Sequence, residues 1–496
     1  MGAITKFAAK SYDFTKFVDA KNWIGGEWVS PSGTDVHEVI NPRFGKAMAS
    51  VRMSTADDVA SAVRAAKAAY PAWKEMPMRE RAQIFYRFRE LMERDMEELT
   101  WLVSHENGKL FEEAKPEVLK AIECCEYGCS LPNIAGGPQM EVSRGVEASE
   151  TYEPLGVCAG ITPFNFPFMV PMWMIPQVLV GGNTFVLKPS EQVPLSVMRM
   201  AELLDEAGLP KGVFNIVQGA QEVVEALCDH PDIKAIGFVG STKVAKLVYA
   251  RAAASGKNAL CLGGAKNHLI LVPDADVDVT VDNVLASFTG CAGQRCMAAS
   301  VLLAVGDVNH LIEKIAVKAR GMQLKTDIGA IVNEASMKRI IGYIDDAEKR
   351  GAKVLVDGRP KPGAEGYWVG PTILDNVTID MPAGCEEIFG PVLSIVHVPT
   401  LDKAIEIENG NPYGNASCIY TSNGATARYV STRVEAGMVG VNVGVPVPRE
   451  PFGFGGWNHS KFGNGDITGW DGFRFWTRPR KVTTKWALQR DTSWLS

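Results

Sequence analysis

Residues 290–298 read GCAGQRCMA, with Cys291 and Cys296 five apart, small residues between them and Arg295 against the second sulfur. Such a pair could be half a metal knuckle, half a disulfide, or the seat of a reactive thiolate. No C-x-x-C pair occurs among the ten cysteines, and no histidine stands at zinc-ligand spacing from a cysteine pair, so no metal site is expected. A nucleophilic thiolate needs an accessible small-residue loop and positive surroundings that lower its pKa. Cys296 has glycine or alanine at 290, 292, 293 and 298 and the Arg295 guanidinium beside it, which makes it the candidate nucleophile. An inert cysteine would sit in an apolar strand, as the contexts of Cys158 and Cys418 suggest.

Three other stretches carry signals for an anionic or nucleotide ligand. In NTFVLKPSE (183–191) a strand ends at Lys188, with Glu191 three residues on. A lysine at a strand's C-terminal edge faces the crevice of an α/β sheet, and the carboxylate could accept both hydroxyls of a ribose while repelling a 2′-phosphate. The same spacing also serves as a surface ion pair. In AIGFVGSTKVAK (235–246) a strand runs through Gly240 and Ser241 into a helix, whose N-terminal N–H groups could face an anion. Ser241 or Thr242 is equally a plain helix cap. PFGFGGWNHSKFG (451–463) is glycine-rich and reads either as a loop over the mouth of a site or as a structural turn.

Alternating elements must position these residues. Residues 56–72, interrupted at Pro71, and 79–102 show helical apolar spacing. The short runs GVCAGIT, NTFVLK, GVFNIV, AIGFVG, HLILV, VLLAV, LSIVHV and ASCIYT read as buried strands, each followed by breakers. Strands interleaved with helices predict an α/β protein of parallel sheets covered on both faces. Between 124 and 153 the pattern turns polar and reads as a hairpin, and after 463 the chain becomes aromatic and basic. Both segments are expected to pack on another subunit.

The bulk numbers set the frame. A chain of 496 residues calls for two or three domains. Its net charge of −6 argues against a nucleic-acid binder. From Pro154 to Leu187 no charged residue occurs, yet five prolines interrupt the stretch, so it reads as buried strand and helix with no membrane span. The N-terminal MGAITKFAAKSYDF lacks a secretory apolar core, and a reducing cytoplasm with free thiols is expected.

Taken together, GITPFNFP (160–167), NTFVLKPSE, FVGST, GGAKNH (263–268), GQRCMA (293–298), EEIFGPV (386–392), GMVGVNVG (437–444) and PFGFGGW resemble the aldehyde dehydrogenase superfamily over nearly the whole chain. GAKNH, GQRCMA and GVNVGVPVP are most similar to its CoA-acylating methylmalonate-semialdehyde (malonate-semialdehyde) branch. The resemblance implies an NAD-dependent enzyme with a Rossmann-type NAD domain at 1–123 and 150–258. It also implies a catalytic domain at 259–455 and a small β oligomerisation element from 124–149 and 456–496, assembling dimers into a homotetramer. By resemblance, Cys296 attacks a small-molecule aldehyde, and Asn165 with the Cys296 N–H forms the oxyanion hole. Lys188 and Glu191 hold the adenosine ribose, Gly240 and Ser241 the pyrophosphate, and Phe238 lines the cofactor. Glu387 and Phe389 position the nicotinamide end, Phe164 borders the substrate, and Asn442 supports the site from behind.

Two departures bear on the reaction. Hydrolytic relatives carry a glutamate where this chain has Cys261, and water is a poor nucleophile without a positioned base. Coenzyme A brings its own thiol, so the change favours thioester exchange over release of a free acid, the alternative outcome. In the acylating branch an arginine pair grips the substrate carboxylate. Arg295 matches one member, whereas EVLKAIE (117–123) supplies Lys120 for the other, keeping the charge but losing the bidentate fork. Cys261 and His268 also read as packed core residues.

Overall fold

The computed structural model describes residues 18–360 and 365–486, so the N-terminal stretch read above and the end of the tail lie outside the described residues. All eight expected runs are strands. The first sheet has eight strands in the order Lys461–Phe462, Asn258–Leu262, Ile233–Val239, Val157–Ile161, Thr184–Lys188, Phe214–Ile216, Asn22–Ile24, Glu27–Val29. Its middle pairs parallel, and antiparallel strands close both edges. The strand at Val157–Ile161 is buried throughout because alternate residues face two cores. Val157, Ala159 and Ile161 meet one set of helices, and Cys158 faces the other with Phe185 and Leu187. This is the physical reason for an apolar run without alternation.

The second sheet has seven strands, Lys353–Val356, Thr372–Asp375, Val392–Val398, Ala299–Val305, Asn267–Leu271, Ala416–Tyr420 and Met438–Val441, all parallel but for the first. Asn258–Leu262 belongs to the first sheet, so the seam between the sheets follows Leu262 and not residue 258. A third, three-stranded antiparallel sheet joins Gln139–Ser143, Val146–Pro154 and Thr477–Lys485.

Local differences from the expected pattern have clear causes. The expected hairpin begins at Gln139, because Phe111–Ile134 is one helix that buries Ala121, Ile122, Cys124, Cys125, Cys129 and Leu131. Gly128 lets it close on Pro176, whose Cβ would lie 2.5 Å from an added methyl. The helix Ala56–Glu75 runs through Pro71, which sits on its exposed face and leaves no buried donor missing. The stretch 79–102 divides into helices Met78–Arg94 and Met96–Asn107 at Asp95. The uncharged segment folds as strand, the buried helix Met169–Val180 and strand, and no helix among the described residues is long and apolar enough to cross a membrane.

Candidate active site

The C-terminal ends of the strands at Val157–Ile161, Thr184–Lys188 and Ile233–Val239 open onto a cavity of about 1200 Å³ that also reaches Cys296. Crevices in parallel sheets form at this edge. Cys296 follows a tight turn, Gly290–Gly293, in which Cys291 and Ala292 are left-handed at φ 51° and 52°. Gly293 is obligatory, since an added Cβ would sit 2.1 Å from the Gly390 carbonyl. Downstream, the Gln294 side chain donates to the Ala330 carbonyl at 3.1 Å and accepts from the Val332 N–H at 3.0 Å. The Cys296 carbonyl accepts from Asn267 Nδ2 at 2.8 Å and Asn415 Nδ2 at 2.9 Å. These two bonds hold in place the backbone that carries the sulfur.

Asn165 reaches the same cavity from the loop after Ile161, buried, with Nδ2 donating to the Gln294 carbonyl at 3.1 Å. An amide carries two N–H donors, so a second is on hand for an oxyanion. Its own carbonyl accepts from Lys109 Nζ at 2.8 Å, and Lys109 pairs with Glu117 at 2.6 Å with both side chains fully buried.

The electrostatics depart from the expectation of a ready thiolate. Burial pushes the Cys296 thiol up to about 12, the Glu387 carboxylate adds to the rise, and Arg295 opposes it only weakly. The reason is geometric: the Arg295 guanidinium turns back to the Ala286 and Ser287 carbonyls at the end of helix Val277–Thr289. The resting sulfur is therefore a thiol. Glu387 is itself raised to about 7 by burial, which its hydrogen bond from the Ala265 N–H only partly offsets. Gly264 makes room for this carboxylate, as a Cβ there would approach Oε2 to 2.4 Å.

The cavity wall gathers Phe164, Asn165, Lys188, Glu191, Phe238, Gly240, Ser241, Cys296, Glu387 and Phe389. Lys188 meets Glu191 at 3.0 Å, and Phe164 stands edge-on to Phe389 with centroids 5.8 Å apart. Ser241 occupies the N-cap position of helix Thr242–Ala254, yet its hydroxyl makes no capping bond. That hydroxyl and the first N–H groups of the helix are therefore free to take an anion from the cavity. The cavity is large enough for a dinucleotide, and its wall carries the Glu191 carboxylate, an open helix N-terminus and Cys296.

Several singled-out residues lie elsewhere. Arg295 and Lys120 are absent from the cavity wall; Lys120 pairs with Glu450 at 2.6 Å and Glu123 at 3.2 Å. Cys261 is fully buried in its strand and burial pushes its thiol up, so it packs and does not face the cavity. His268 is buried against Glu408. Asn442 brackets the Thr421 backbone, and residues 451–463 form a structural turn that seats Lys461–Phe462 against Asn258–Leu262. Asn415 and Lys109 were not legible as site residues, and Gln294, Asn267 and Glu117 stood only inside quoted motifs without a role of their own. A buried amide or ion pair leaves no periodic signal.

The sequence model of the aldehyde dehydrogenase family matches residues 28–482, and the chain belongs to that family. It is 46% identical over 476 residues to malonate-semialdehyde dehydrogenase 1 of Geobacillus thermodenitrificans, covering 94% of this chain and 98% of that one. Its structure is similar to that of methylmalonate-semialdehyde dehydrogenase from Oceanimonas doudoroffii, with a TM-score of 0.93, 41% identity, and 95% and 99% of the two chains covered. A Sinorhizobium meliloti protein described as a methylmalonate-semialdehyde dehydrogenase and solved with NAD gives a TM-score of 0.93 at 40% identity, again over 95% and 99% of the chains.

Proposed function

We propose that this enzyme oxidises a short semialdehyde of the malonate or methylmalonate type with NAD and passes the acyl group to coenzyme A. Cys296, once deprotonated, adds to the aldehyde carbonyl. The Asn165 amide and the Cys296 N–H take up the charge on oxygen, interactions that strengthen only as that charge develops. NAD, when bound, accepts the hydride released by the oxidation. Lys188 and Glu191 would hold its adenosine ribose, Gly240 and Ser241 its pyrophosphate, and Glu387 and Phe389 its nicotinamide end, while Phe238 lines its path and Phe164 borders the substrate. An acyl group is left on sulfur, and the thiolate of coenzyme A displaces Cys296 from it. The carboxylate β to the new thioester then leaves as CO₂, because the thioester carbonyl stabilises the developing enolate.

The observation that carries this reading is Cys261, sealed in its strand where hydrolytic relatives place a general base. The relatives named above, a malonate-semialdehyde and a methylmalonate-semialdehyde dehydrogenase, support the same substrate class. Ten free thiols fit a reducing cytoplasm, and the exposed Met140, Val142 and Val482 of the third sheet fit burial in a homotetramer built as a dimer of dimers. The test is NADH formation from malonate semialdehyde and from propanal, with and without coenzyme A, with the products identified by mass spectrometry. Turnover that stops at one equivalent without coenzyme A and yields acetyl-CoA with it supports the proposal. Sustained turnover to a free acid without coenzyme A overturns it in favour of hydrolysis.

A further inference from the structure

Glu113 and Glu117 stand four residues apart on one face at the start of helix Phe111–Ile134, and Lys109 lies in the turn just ahead of it. Two of them govern the Asn165 side of the site. Lys109 donates to the Asn165 carbonyl at 2.8 Å, and Glu117 accepts from the N–H groups of Phe168 and Met169 at 2.9 and 3.2 Å while pairing with Lys109. The third reaches the nucleophile side: one oxygen of Glu113 accepts from the Cys291 N–H at 2.6 Å, and the other accepts from the Leu110 N–H at 3.0 Å. Cys291 and Ala292 are the two non-glycine residues held left-handed just ahead of Cys296, a conformation that persists only where its surroundings impose it. The bonds from Asn267, Asn415 and Gln294 fix the loop from Gln294 onward, whereas Glu113 grips it at the strained turn.

We infer that Glu113 is a positioning residue for the nucleophile, and that the start of this helix is a strut to which both halves of the oxyanion hole are tied. Asn165 and Cys296 come from segments far apart in sequence, and the oxyanion must lie within hydrogen-bond reach of both. A shift of one half against the other would degrade the transition state more than the bound ground state. What Glu113 contributes is an acceptor at a given reach, so its charge is secondary. The inference rests on Cys296 being the nucleophile and is independent of which thiol or water takes the acyl group.

The test compares Glu113→Ala, Glu113→Asp and Glu113→Gln by kcat, KM, NAD affinity from calorimetry, and the rate at which iodoacetamide alkylates Cys296, located by mass spectrometry. Alanine removes the acceptor and aspartate shortens it by one methylene, so each is expected to lower kcat by about tenfold or more with NAD affinity within about twofold of wild type. Glutamine keeps one acceptor oxygen for the Cys291 N–H but turns its NH2 toward the Leu110 N–H, so it is expected to recover kcat at least several-fold over alanine, the Cys296 alkylation rate following the same order. Aspartate at wild-type kcat, or glutamine as impaired as alanine, overturns the inference. If the alanine variant does not fold, the aspartate and glutamine pair alone decides. Retention of turnover by Cys296→Ala would instead remove the nucleophile assignment itself, a result separable from any outcome at residue 113.

Discussion

Two lysine–carboxylate pairs, one on each side of helix-rich territory, make opposite use of the same chemistry. Lys188 and Glu191 stand three residues apart on the cavity wall, meet at 3.0 Å, and leave the carboxylate partly exposed to a ligand. Lys120 and Glu450 are 330 residues apart, meet at 2.6 Å, and bury the carboxylate more deeply, at 9% exposure against 27% for Glu191, with the Cys124 thiol at 3.7 Å from the same carboxylate. The first pair is built by a strand end and its following turn, and it offers hydrogen-bonding groups to the cavity. The second exists only after two distant segments meet, and it satisfies the cation internally. The resemblance reserved Lys120 for a substrate carboxylate; in this structure Glu450 and Glu123 already hold it. An aldehyde carboxylate could reach Lys120 only by displacing Glu450.

Four substitutions break or sharpen this contrast. Cys296→Ala removes the sulfur on which the reading depends and should lower NADH formation by about 10⁴-fold or more, with NAD binding retained. Asn165→Ala takes away a preorganised donor and should lower kcat by about 10²–10³-fold while KM moves little. Glu450→Gln leaves Lys120 paired with Glu123 alone and, where Lys120 meets the substrate, should lower KM for malonate semialdehyde about tenfold, equivalent to about 1.4 kcal/mol, with propanal nearly unaffected. An equal change for both aldehydes would mean that Lys120 does not meet the substrate. Glu387→Gln is the subtlest. In wild-type enzyme without cofactor, Cys296 alkylation should rise with pH because the thiol lies near 12. As Glu387 loses its proton around pH 7, its new charge opposes thiolate formation and flattens that rise. The glutamine variant should show an uninterrupted rise and react a few-fold faster above pH 7.

The same contrast explains what could be read from the amino-acid sequence. The strand runs were legible because a strand covered on both faces is apolar along its buried length, as at Val157–Ile161 and at 185–187 of the strand Thr184–Lys188. Residues such as Lys188, Glu191, Gly240 and Ser241 were legible because each sits within a few positions of a strand end. The helix through Cys124 was not, since its cysteines, glycine and prolines weaken helical periodicity and packing against Met78–Arg94, Met96–Asn107 and Met169–Val180 decides the outcome. The direction of Arg295 was not legible either. Adjacency in sequence suggested that it would charge the pocket, but the free carbonyls at a helix end took its guanidinium. Long-range hydrogen bonds such as those of Asn415, Gln294 and Glu113 are products of the finished fold.

The first sheet has one more property. Its edge strand Asn258–Leu262 is closed by Lys461–Phe462, and Ser460 accepts the Gly263 N–H at 2.8 Å and donates to the Gly264 carbonyl at 2.8 Å. During synthesis that edge waits, with unpaired backbone groups, while the ribosome makes the whole second sheet. An open edge in a partly made chain is a template for wrong pairing between nascent molecules. Completion of the first sheet is thus deferred until Lys461–Phe462 is made, and a chain cut short before it would leave its ribosome with that edge still bare.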